Sequence, residues 1–361
     1  MPSDEPGQAA ERQRPQSRAQ KAASRKDAHI SINVERDVQS SISTGLEAFR
    51  FDHTALPEID LEEVDLSVGF LGRRLAAPYL ISCMTGGTPQ AEAVNETLAA
   101  VAQRFGIALG LGSARMLLED HRQARSFQMR GHAPDVPILA NIGGVQLNRG
   151  VTVDDLQRLV DLLDADAMVI HLNPLQESLQ EHGDVQFRGL LDRIAHVCRE
   201  LNCPVIVKEV GFGISGRDAD RLFDAGVYAV DVAGGGGTSW SEVERHLLQG
   251  RMANVAATFR GWGTPTADCL LQVRAVRPDA FLIGSGGIQT GIEAAVTLAL
   301  GADLVGVAGP MLRAAAAGRE AADDKAFELI ETLRRVLFCT GSRTVADLRQ
   351  VPLRRVSKGA R

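Results

Sequence analysis

The segment of residues 171–177 carries the side chains best suited to chemistry. His171 and Asn173 follow a short apolar run, residues 167–170, of the kind that forms a buried parallel strand. Alternate residues of a strand share a face, so the imidazole and the amide are predicted to point into the same opening at the end of the strand, here called the mouth. Pro174 removes a backbone donor and is predicted to end the strand.

Gln176 and Glu177 are then expected on the loop above that mouth. A neutral amide beside a carboxylate, over a histidine and an asparagine, suits a site that binds a diphosphate through a divalent metal and hydrogen-bonds an uncharged substrate tail. Ordinary surface polar residues that cap a strand are the alternative, and these residues taken singly do not exclude it.

The elements that must position this segment repeat one pattern: an apolar run, a glycine-rich or polar turn, and a helical period. Eight such runs predict eight parallel strands with right-handed crossovers, and thus an α/β fold of the (β/α)8 TIM-barrel class. The runs are residues 79–83, 107–111, 136–142, 167–172, 205–210, 228–232, 281–285 and 304–308. The first helix has an apolar stripe from Val94 to Phe105 and is predicted to stop at Gly106.

The chain divides into a tail and one domain by composition. Residues 1–22 are rich in polar residues and are predicted to be disordered or at most transiently helical. Residues 23–361 are predicted to form a single catalytic barrel, in which residues 23–77 cap the substrate site. The long interval of residues 234–278, after strand six, is expected to be an elaborated loop or an added helix pair.

Composition narrows the class of protein. The 361 residues are 45% hydrophobic and 23% charged, which is ordinary for a globular protein. No apolar run approaches the ~20 residues that span a bilayer, and no signal sequence is seen, so a cytoplasmic location without membrane contact is predicted. Five cysteines without a CxxC pair indicate neither a disulfide framework nor a zinc site. A net charge of −6 and only 4% aromatic residues argue against nucleic-acid binding.

Unusual residues follow several of the predicted strands, where a barrel places its active site. Glycines after strands seven and eight would place backbone N–H groups around an anion, the usual phosphate site of such barrels. Lys208, at the end of strand five, is expected either to offset negative charge on a flavin ring or to pair with a carboxylate.

These residues closely resemble the flavin-dependent, type 2 isopentenyl-diphosphate isomerases from Arg25 to about Leu312. The motifs that carry the resemblance are residues 25–30, 84–87, 140–143, 171–177 and 208–211. The resemblance implies a barrel that binds reduced flavin mononucleotide (FMN) and Mg2+, with NADPH as reductant and a homotetramer or homo-octamer as the assembly. The implied reaction moves a double bond between isopentenyl and dimethylallyl diphosphate by adding one proton and removing another.

The resemblance also implies roles for single residues. Flavin contacts are implied for Met84, Thr85, Gly86, Ser113, Asn141, Lys208 and Thr238, and flavin phosphate loops for Gly286, Gly287, Ala308 and Gly309. Substrate contacts are implied for Arg25, Lys26, Ser113, Arg115, His171, Asn173 and Gln176. Gln176 is also the candidate catalytic residue, and Glu177 is the implied magnesium ligand.

Two features depart from the family pattern. Ala114 stands where the family commonly has a glutamine, and the tail before Arg25 is unusually long.

Three other functions are alternatives for such a chain. An FMN-dependent α-hydroxy-acid oxidase would need a histidine and an arginine after strand six, and residues 234–240 contain neither. A purine-nucleotide dehydrogenase would need a catalytic cysteine, and Cys83 is expected to pack as an apolar residue instead. A non-catalytic flavin-binding regulator would have no use for Gln176 and Glu177 over the ring.

Overall fold

The computed structural model describes residues 18–356, without the side chains of residues 18–24, 121 and 122. The predicted tail falls mostly on residues 1–17, which lie outside the described residues. The first helix begins at Arg18, inside the interval assigned to the tail. None of the helices in the described part of the chain combines the length and the apolar character needed to cross a bilayer.

Eight parallel strands close into a barrel, as predicted. The strands are β1 (Tyr79–Ile81), β2 (Ala108–Gly110), β3 (Ile138–Gly143), β4 (Ala167–His171), β5 (Val205–Lys208), β6 (Ala229–Asp231), β7 (Phe281–Ser285) and β8 (Leu304–Val307). Each pairs with the next, and β8 returns to β1 in the register Val305 to Tyr79. All eight predicted apolar runs are therefore strands, because strands buried on both faces read as continuous apolar runs.

Helices surround the barrel and supply its crossovers. They are α1 (Arg18–Glu35), α2 (Pro89–Phe105), α3 (Val145–Asn148), α4 (Val153–Leu163), α5 (Pro174–Leu179), α6 (Leu190–Glu200), α7 (Gly216–Asp224), α8 (Trp240–Leu247), α9 (Gly250–Thr258), α10 (Thr266–Val276), α11 (Gly291–Ala299), α12 (Gly309–Ala317), α13 (Arg319–Cys339) and α14 (Val345–Leu348). Helix α2 ends at Gly106 in the left-handed conformation, where sequence predicted its end. In residues 234–278, α8 and α9 pack on each other, and α10 packs on α7 and β7 as the regular crossover helix.

The structure corrects two local predictions. Gln176 and Glu177 lie in the short helix α5 and not on a loop, because Pro174 occupies the first helical turn, where no N–H bond is lost. Within the predicted capping segment, residues 23–77, only α1 and the residues just after it line the mouth. The hairpin of Val68–Phe70 and Arg73–Leu75 plugs the opposite end of the barrel, because Phe70 and Leu75 pack with inward-facing residues of the strands. A further pair of short strands, Phe49–Phe51 and Leu353–Arg355, lies outside the barrel.

One set of polar contacts occurs twice at the plugged end of the barrel. Arg130 donates to the carbonyls of the residues three, four and six positions ahead, and to the Asp166 carboxylate just before β4. Arg274 donates to carbonyls at the same three offsets, and to Asp303 just before β8. Each aspartate also accepts the backbone N–H of the preceding strand, Ile138 or Leu282, at 2.8 Å.

These two Arg–Asp clamps lie four strands apart and indicate an internal repeat of the barrel. The second carboxylate oxygen of each aspartate accepts a further arginine from outside the barrel, Arg73 on Asp166 and Arg349 on Asp303. The sequence repeats as well: residues 143–146 read Gly-Gly-Val-Gln and residues 286–289 read Gly-Gly-Ile-Gln. The two halves of the barrel therefore carry equivalent loops on opposite sides of the mouth.

The clamps are expected to stabilise the barrel strongly. Arg130→Met and Arg274→Met each leave a half-buried carboxylate and several carbonyls without their donor, so each should lower the free energy of unfolding by roughly 2–4 kcal/mol. Arg335→Met, which removes only an exposed pair with Glu331 on α13, should cost under about 1 kcal/mol. Chemical denaturation of the three variants checks this, and equal losses in all three would refute it.

Candidate functional site

The carboxyl ends of the strands open into a cavity of about 740 Å³, within the range typical of small-molecule and cofactor sites. All the residues predicted for the site line this cavity except Gly86. Gly86 lies just behind the wall, where its carbonyl accepts a hydrogen bond from Lys26. The structure thus brings together side chains from α1 and from the ends of most barrel strands.

The side chains of the segment 171–177 form one hydrogen-bonded chain. Asn173 donates through Nδ2 to Gln176 Oε1 and to Glu177 Oε1, each at 3.0 Å. Gln176 donates through Nε2 to Glu244 Oε1 at 3.0 Å. The amide of Gln176 is therefore held at both its oxygen and its nitrogen, which fixes its orientation toward the cavity.

Glu244 on α8 is the central acceptor of the mouth, and sequence reasoning missed it. Its side chain is fully buried and accepts from Arg25 at 2.5 Å and from Gln180 at 2.8 Å, with His29 Nε2 at 3.5 Å. Burial alone would raise the pKa of Glu244, but the contacts with His29, Arg25 and Gln176 outweigh it and hold the pKa below its usual value. The carboxylate is therefore charged at neutral pH and ties α1 and α5 to α8. Nothing in the local sequence distinguishes Glu244 from the neighbouring Glu242.

His171 is held by Asn141 at the end of β4. Its Nδ1 lies 2.8 Å from Asn141 Oδ1, a contact that fits Nδ1 as the protonated nitrogen and leaves Nε2 as an acceptor. Burial lowers the pKa of His171 to about 3, with the charges of Lys208 and Lys26 acting in the same direction. The imidazole is neutral at physiological pH unless an anion enters the cavity.

Lys26 reaches from α1 into the wall between β1 and β2. Its Nζ donates to the carbonyls of Gly86 at 2.7 Å and Ser113 at 2.9 Å, and lies 5.1 Å from the centroid of the Phe127 ring. Burial and, to a smaller extent, the charge of Arg115 lower the pKa of Lys26 to about 8. Arg115 and Lys26 therefore concentrate positive charge on one side of the cavity.

Lys208 lies among acidic side chains at the floor of the cavity. Asp231 on β6 is the register partner of Lys208 on β5, and its carboxylate accepts from Ser285 Oγ at 2.5 Å. Burial raises the pKa of Asp231, and the charge of Lys208 opposes this effect. Burial also raises the pKa of Glu209 to about 7, although backbone N–H groups of Val210, Gly211 and Phe212 donate to its carboxylate. Lys208 Nζ donates to the backbone carbonyl of Glu209 at 2.6 Å, and within the described residues it forms no ion pair with a carboxylate. The flavin contact of Lys208 stays a prediction.

The loops after β6 and β7 form a close backbone cradle. Gly286 and Gly287 have φ values of +107° and +75°, which L side chains rarely adopt. A Cβ atom at Gly286 would lie 2.2 Å from the Gly234 carbonyl oxygen, so no larger residue fits. Helix α12 starts at Gly309 on the adjacent strand end, and its N-terminus adds a partial positive charge beside the same loops.

Arg313, one turn into α12, lines the cavity and was also missed by sequence reasoning. Its Nη1 lies 3.1 Å from the position of a Cβ atom built on Gly309, and its Nη2 donates to Gln289 Oε1 at 3.4 Å. The guanidinium thus lies beside the glycine cradle, where a phosphate group would need a counter-charge. Arg313 follows Gly309 by four residues, which places both on one face of α12, and this spacing is the sequence signal for Arg313.

Glu177 is the carboxylate best placed for a hard cation. Its Oε1 accepts from Asn173 and its Oε2 accepts the backbone N–H of Asp184 at 2.7 Å. Asn173 Oδ1 is buried and has no hydrogen-bond partner within the described chain, so it adds a free oxygen acceptor. Among the described residues, no group of three or more His, Cys, Asp or Glu side chains forms a metal cage. One carboxylate with an amide oxygen fits Mg2+, which retains water and substrate phosphate ligands.

Cys83 does not have the character of a catalytic thiol. Burial raises its pKa to about 11, against the lowering effect of Lys208, so the thiol stays protonated at neutral pH. This agrees with the expectation that Cys83 packs as a small apolar residue.

Comparison with known proteins identifies relatives of the whole barrel. The family model for FMN-dependent dehydrogenases matches residues 146–355. The chain is 49% identical over 328 residues to the isopentenyl-diphosphate delta-isomerase of Nostoc sp., covering 90% of this chain and 94% of that protein. It is 47% identical to the isopentenyl-diphosphate delta-isomerase of Rickettsia bellii, covering 91% and 97%.

Solved structures share the fold at low sequence identity. A mandelate oxidase with (S)-2-phenylpropionate superimposes with a TM-score of 0.63 at 20% identity, covering 92% of this chain and 97% of the other. A variant of an (S)-mandelate dehydrogenase chimera gives 0.62 at 17% identity, covering 92% and 98%. At these identities the likeness concerns the barrel and not the reaction.

The buried imidazole should make stability depend on pH. Because the pKa of His171 is about 3 in the folded chain and near 6.5 when unfolded, only the unfolded state binds this proton between those values. Folding stability should therefore fall by about 1.4 kcal/mol for each pH unit below 6.5, and a His171→Gln variant should lack this component. Denaturation of both proteins from pH 7 to 4.5 measures the difference. The same change at exposed His53 is the control, and a His171→Gln protein with unaltered pH dependence would refute the argument.

Proposed function

The chain belongs to the family of isopentenyl-diphosphate delta-isomerases, within the wider family of FMN-dependent dehydrogenases, and from this membership we propose how its residues carry out the reaction. The proposed reaction interconverts isopentenyl and dimethylallyl diphosphate on reduced FMN, with Mg2+ on the diphosphate and NADPH as the reductant. The observation that carries the proposal is the hydrogen-bonded chain in which Asn173 contacts Gln176 and Glu177 on the cavity wall and Gln176 contacts the buried Glu244 behind it.

The residues around the glycine cradle fit the phosphate end of FMN. Gly286 and Gly287 line the cavity, where their backbone N–H groups would face a phosphate, and Gly309 and Arg313 would supply a further N–H donor and a counter-charge. Ser82 Oγ is buried on the cavity wall with no partner in the described chain, so a further polar contact is available to a cofactor. Met84, Thr85, Ser113, Asn141, Lys208, Thr238 and Ala308 are the remaining proposed contacts.

When bound, reduced FMN would supply an electron-rich face that stabilises positive charge as the alkene gains a proton. The chain must supply the rest: a dry pocket, a fixed substrate and a route for the proton. Helix α1 covers the mouth, since Arg25, Lys26 and His29 all line the cavity. Exclusion of water is therefore assigned to α1.

The diphosphate end of the substrate is assigned to the basic side of the mouth. Arg25, Lys26 and Arg115 would provide cationic donors, and Ser113 and His171 would provide hydrogen bonds. Glu177 would hold Mg2+, with Asn173 Oδ1 available as a second oxygen. Binding energy from this remote group then fixes the five-carbon tail over the reactive face.

Gln176 is the residue assigned to the reacting end. Its Nε2 donates one hydrogen bond to Glu244, which leaves its second N–H and part of its carbonyl free toward the cavity. Glu244 would keep the amide oriented while a proton is added at one carbon and removed at another. No electrons are lost or gained overall, so these roles require only proton transfer.

Anaerobic turnover tests the function directly. Purified protein with FMN, NADPH and magnesium should convert isopentenyl diphosphate to dimethylallyl diphosphate, and omission of any one of the three should remove the activity. Formation of the allylic product is measured by chromatography of the labelled diphosphates. A folded, flavin-loaded protein without turnover would favour a non-catalytic regulator, and oxygen-dependent oxidation of a hydroxy acid would favour an oxidase.

Substitutions on α5 separate the roles of Gln176 and Glu177. Glu177→Gln should keep FMN binding, weaken substrate binding and abolish the response to magnesium, because it removes the one negative charge that this site offers to the cation. Gln176→Ala should keep the magnesium response and lower turnover by about a hundredfold if the amide takes part in proton transfer. Steady-state rates across a magnesium titration distinguish the two.

Ser178→Ala is the matched control, since Ser178 is exposed on the same helix and bonds only the Leu175 carbonyl. Near-normal kinetics in all three variants would indicate that both assigned residues are ordinary surface groups. A Glu177→Gln enzyme with a normal metal response would remove the assignment of the metal ligand.

A further inference from the structure

Asp184 joins the two sides of the proposed substrate site. It lies between α5 and α6 and is 7% exposed. Its Oδ2 accepts from Arg115 Nη1 at 3.3 Å and from Gln146 Nε2 at 3.1 Å, and its Oδ1 accepts from Arg149 Nη2 at 2.6 Å. Three donors from elements after β2 and β3 therefore meet on one buried carboxylate.

The backbone of Asp184 makes a fourth contact, to the proposed metal ligand. Its N–H donates to Glu177 Oε2 at 2.7 Å. The same residue thus holds Arg115 through its side chain and Glu177 through its main chain. Arg115 and Glu177 are separated by 62 positions in the sequence, and Asp184 is the direct link between them in the described structure.

We propose that Asp184 is a positioning residue for diphosphate binding, which sets the guanidinium of Arg115 and the carboxylate of Glu177 at the spacing that a metal-bound diphosphate needs. This inference rests on the proposed function. Arg115 has a long side chain, 37% exposed at the rim, and an anchored guanidinium loses less rotamer freedom when the substrate binds.

The way in which the two carboxylate oxygens of Asp184 are shared among their donors supports this role. Arg149 does not line the cavity, and it engages Oδ1 from outside at the shorter distance. Arg115 shares Oδ2 with Gln146 at 3.3 Å, so Asp184 orients Arg115 without taking all of its donors. Five N–H groups on a guanidinium leave most of them free for phosphate oxygens.

A purely electrostatic role for Asp184 predicts the opposite sign. A carboxylate beside the site repels a diphosphate, so its removal would tighten binding if charge alone mattered. If Asp184 acts by positioning, its removal weakens binding although a negative charge is lost. The sign of the change therefore separates the two roles.

The experiment compares Asp184→Asn with wild type as FMN holoenzymes. Binding of isopentenyl diphosphate is measured by calorimetry with oxidised flavin, where no turnover occurs, and KM and kcat are measured with reduced flavin. We expect Kd and KM to rise about tenfold in Asp184→Asn, kcat to change less than threefold, and more magnesium to be needed for half-maximal rate. Arg149→Gln, which removes only the outer partner of Asp184, should raise KM by a smaller factor.

Asp220→Asn is the matched control, because it breaks an aspartate–arginine pair with Arg277 outside the cavity. It should leave Kd and KM at wild-type values. Equal or tighter substrate binding in Asp184→Asn would overturn the inference, as would a loss confined to kcat. If Asp184→Asn does not fold, an Arg149→Gln enzyme with wild-type KM would overturn it instead. A wild-type holoenzyme that does not bind isopentenyl diphosphate would refute the proposed function and, with it, the inference.

Discussion

Closure of the barrel is the constraint on which the rest of the structure depends. Eight short strands must meet in register, and the clamps of Arg130 on Asp166 and Arg274 on Asp303 hold opposite sides of the closed end. Each aspartate lies just before one strand and accepts the backbone N–H of the preceding strand. One carboxylate therefore links two neighbouring strands and the arginine of its clamp. Because parallel strands leave the clamped end together, their carboxyl ends must also meet, and the cavity forms there.

The two equivalent loops of the internal repeat line opposite sides of the mouth with different groups. Residues 286–289 supply the glycine cradle, next to the start of α12. The equivalent residues 143–146 lie against His171 and lead to Gln146, which contacts Asp184. Equivalent loops thus differ, one forming the backbone-lined glycine cradle and the other a wall of charged and amide side chains.

The basic side chains Arg25, Lys26 and Arg115 already contact acceptors before any ligand enters. Arg25 contacts Glu244, Lys26 contacts two backbone carbonyls, and Arg115 contacts Asp184. An entering diphosphate therefore exchanges or joins existing contacts instead of meeting free cations. Such an arrangement limits the gain from charge alone and favours ligands whose geometry matches the held side chains.

The sequence by itself determined the barrel and the strand positions, because buried parallel strands read as apolar runs, and the predicted site residues except Gly86 all lie on the cavity that their ends form. Tertiary structure alone decided which side chains hold these residues in place. Glu244 meets Gln176 across 68 positions and Arg25 across 219, and Asp184 meets Arg115 across 69. Such contacts follow from barrel closure and from the packing of α1, α5 and α8, and local sequence patterns extend over only a few helical turns or one strand. Two acidic residues that look like solvated surface groups in the sequence are therefore buried acceptors in the folded chain.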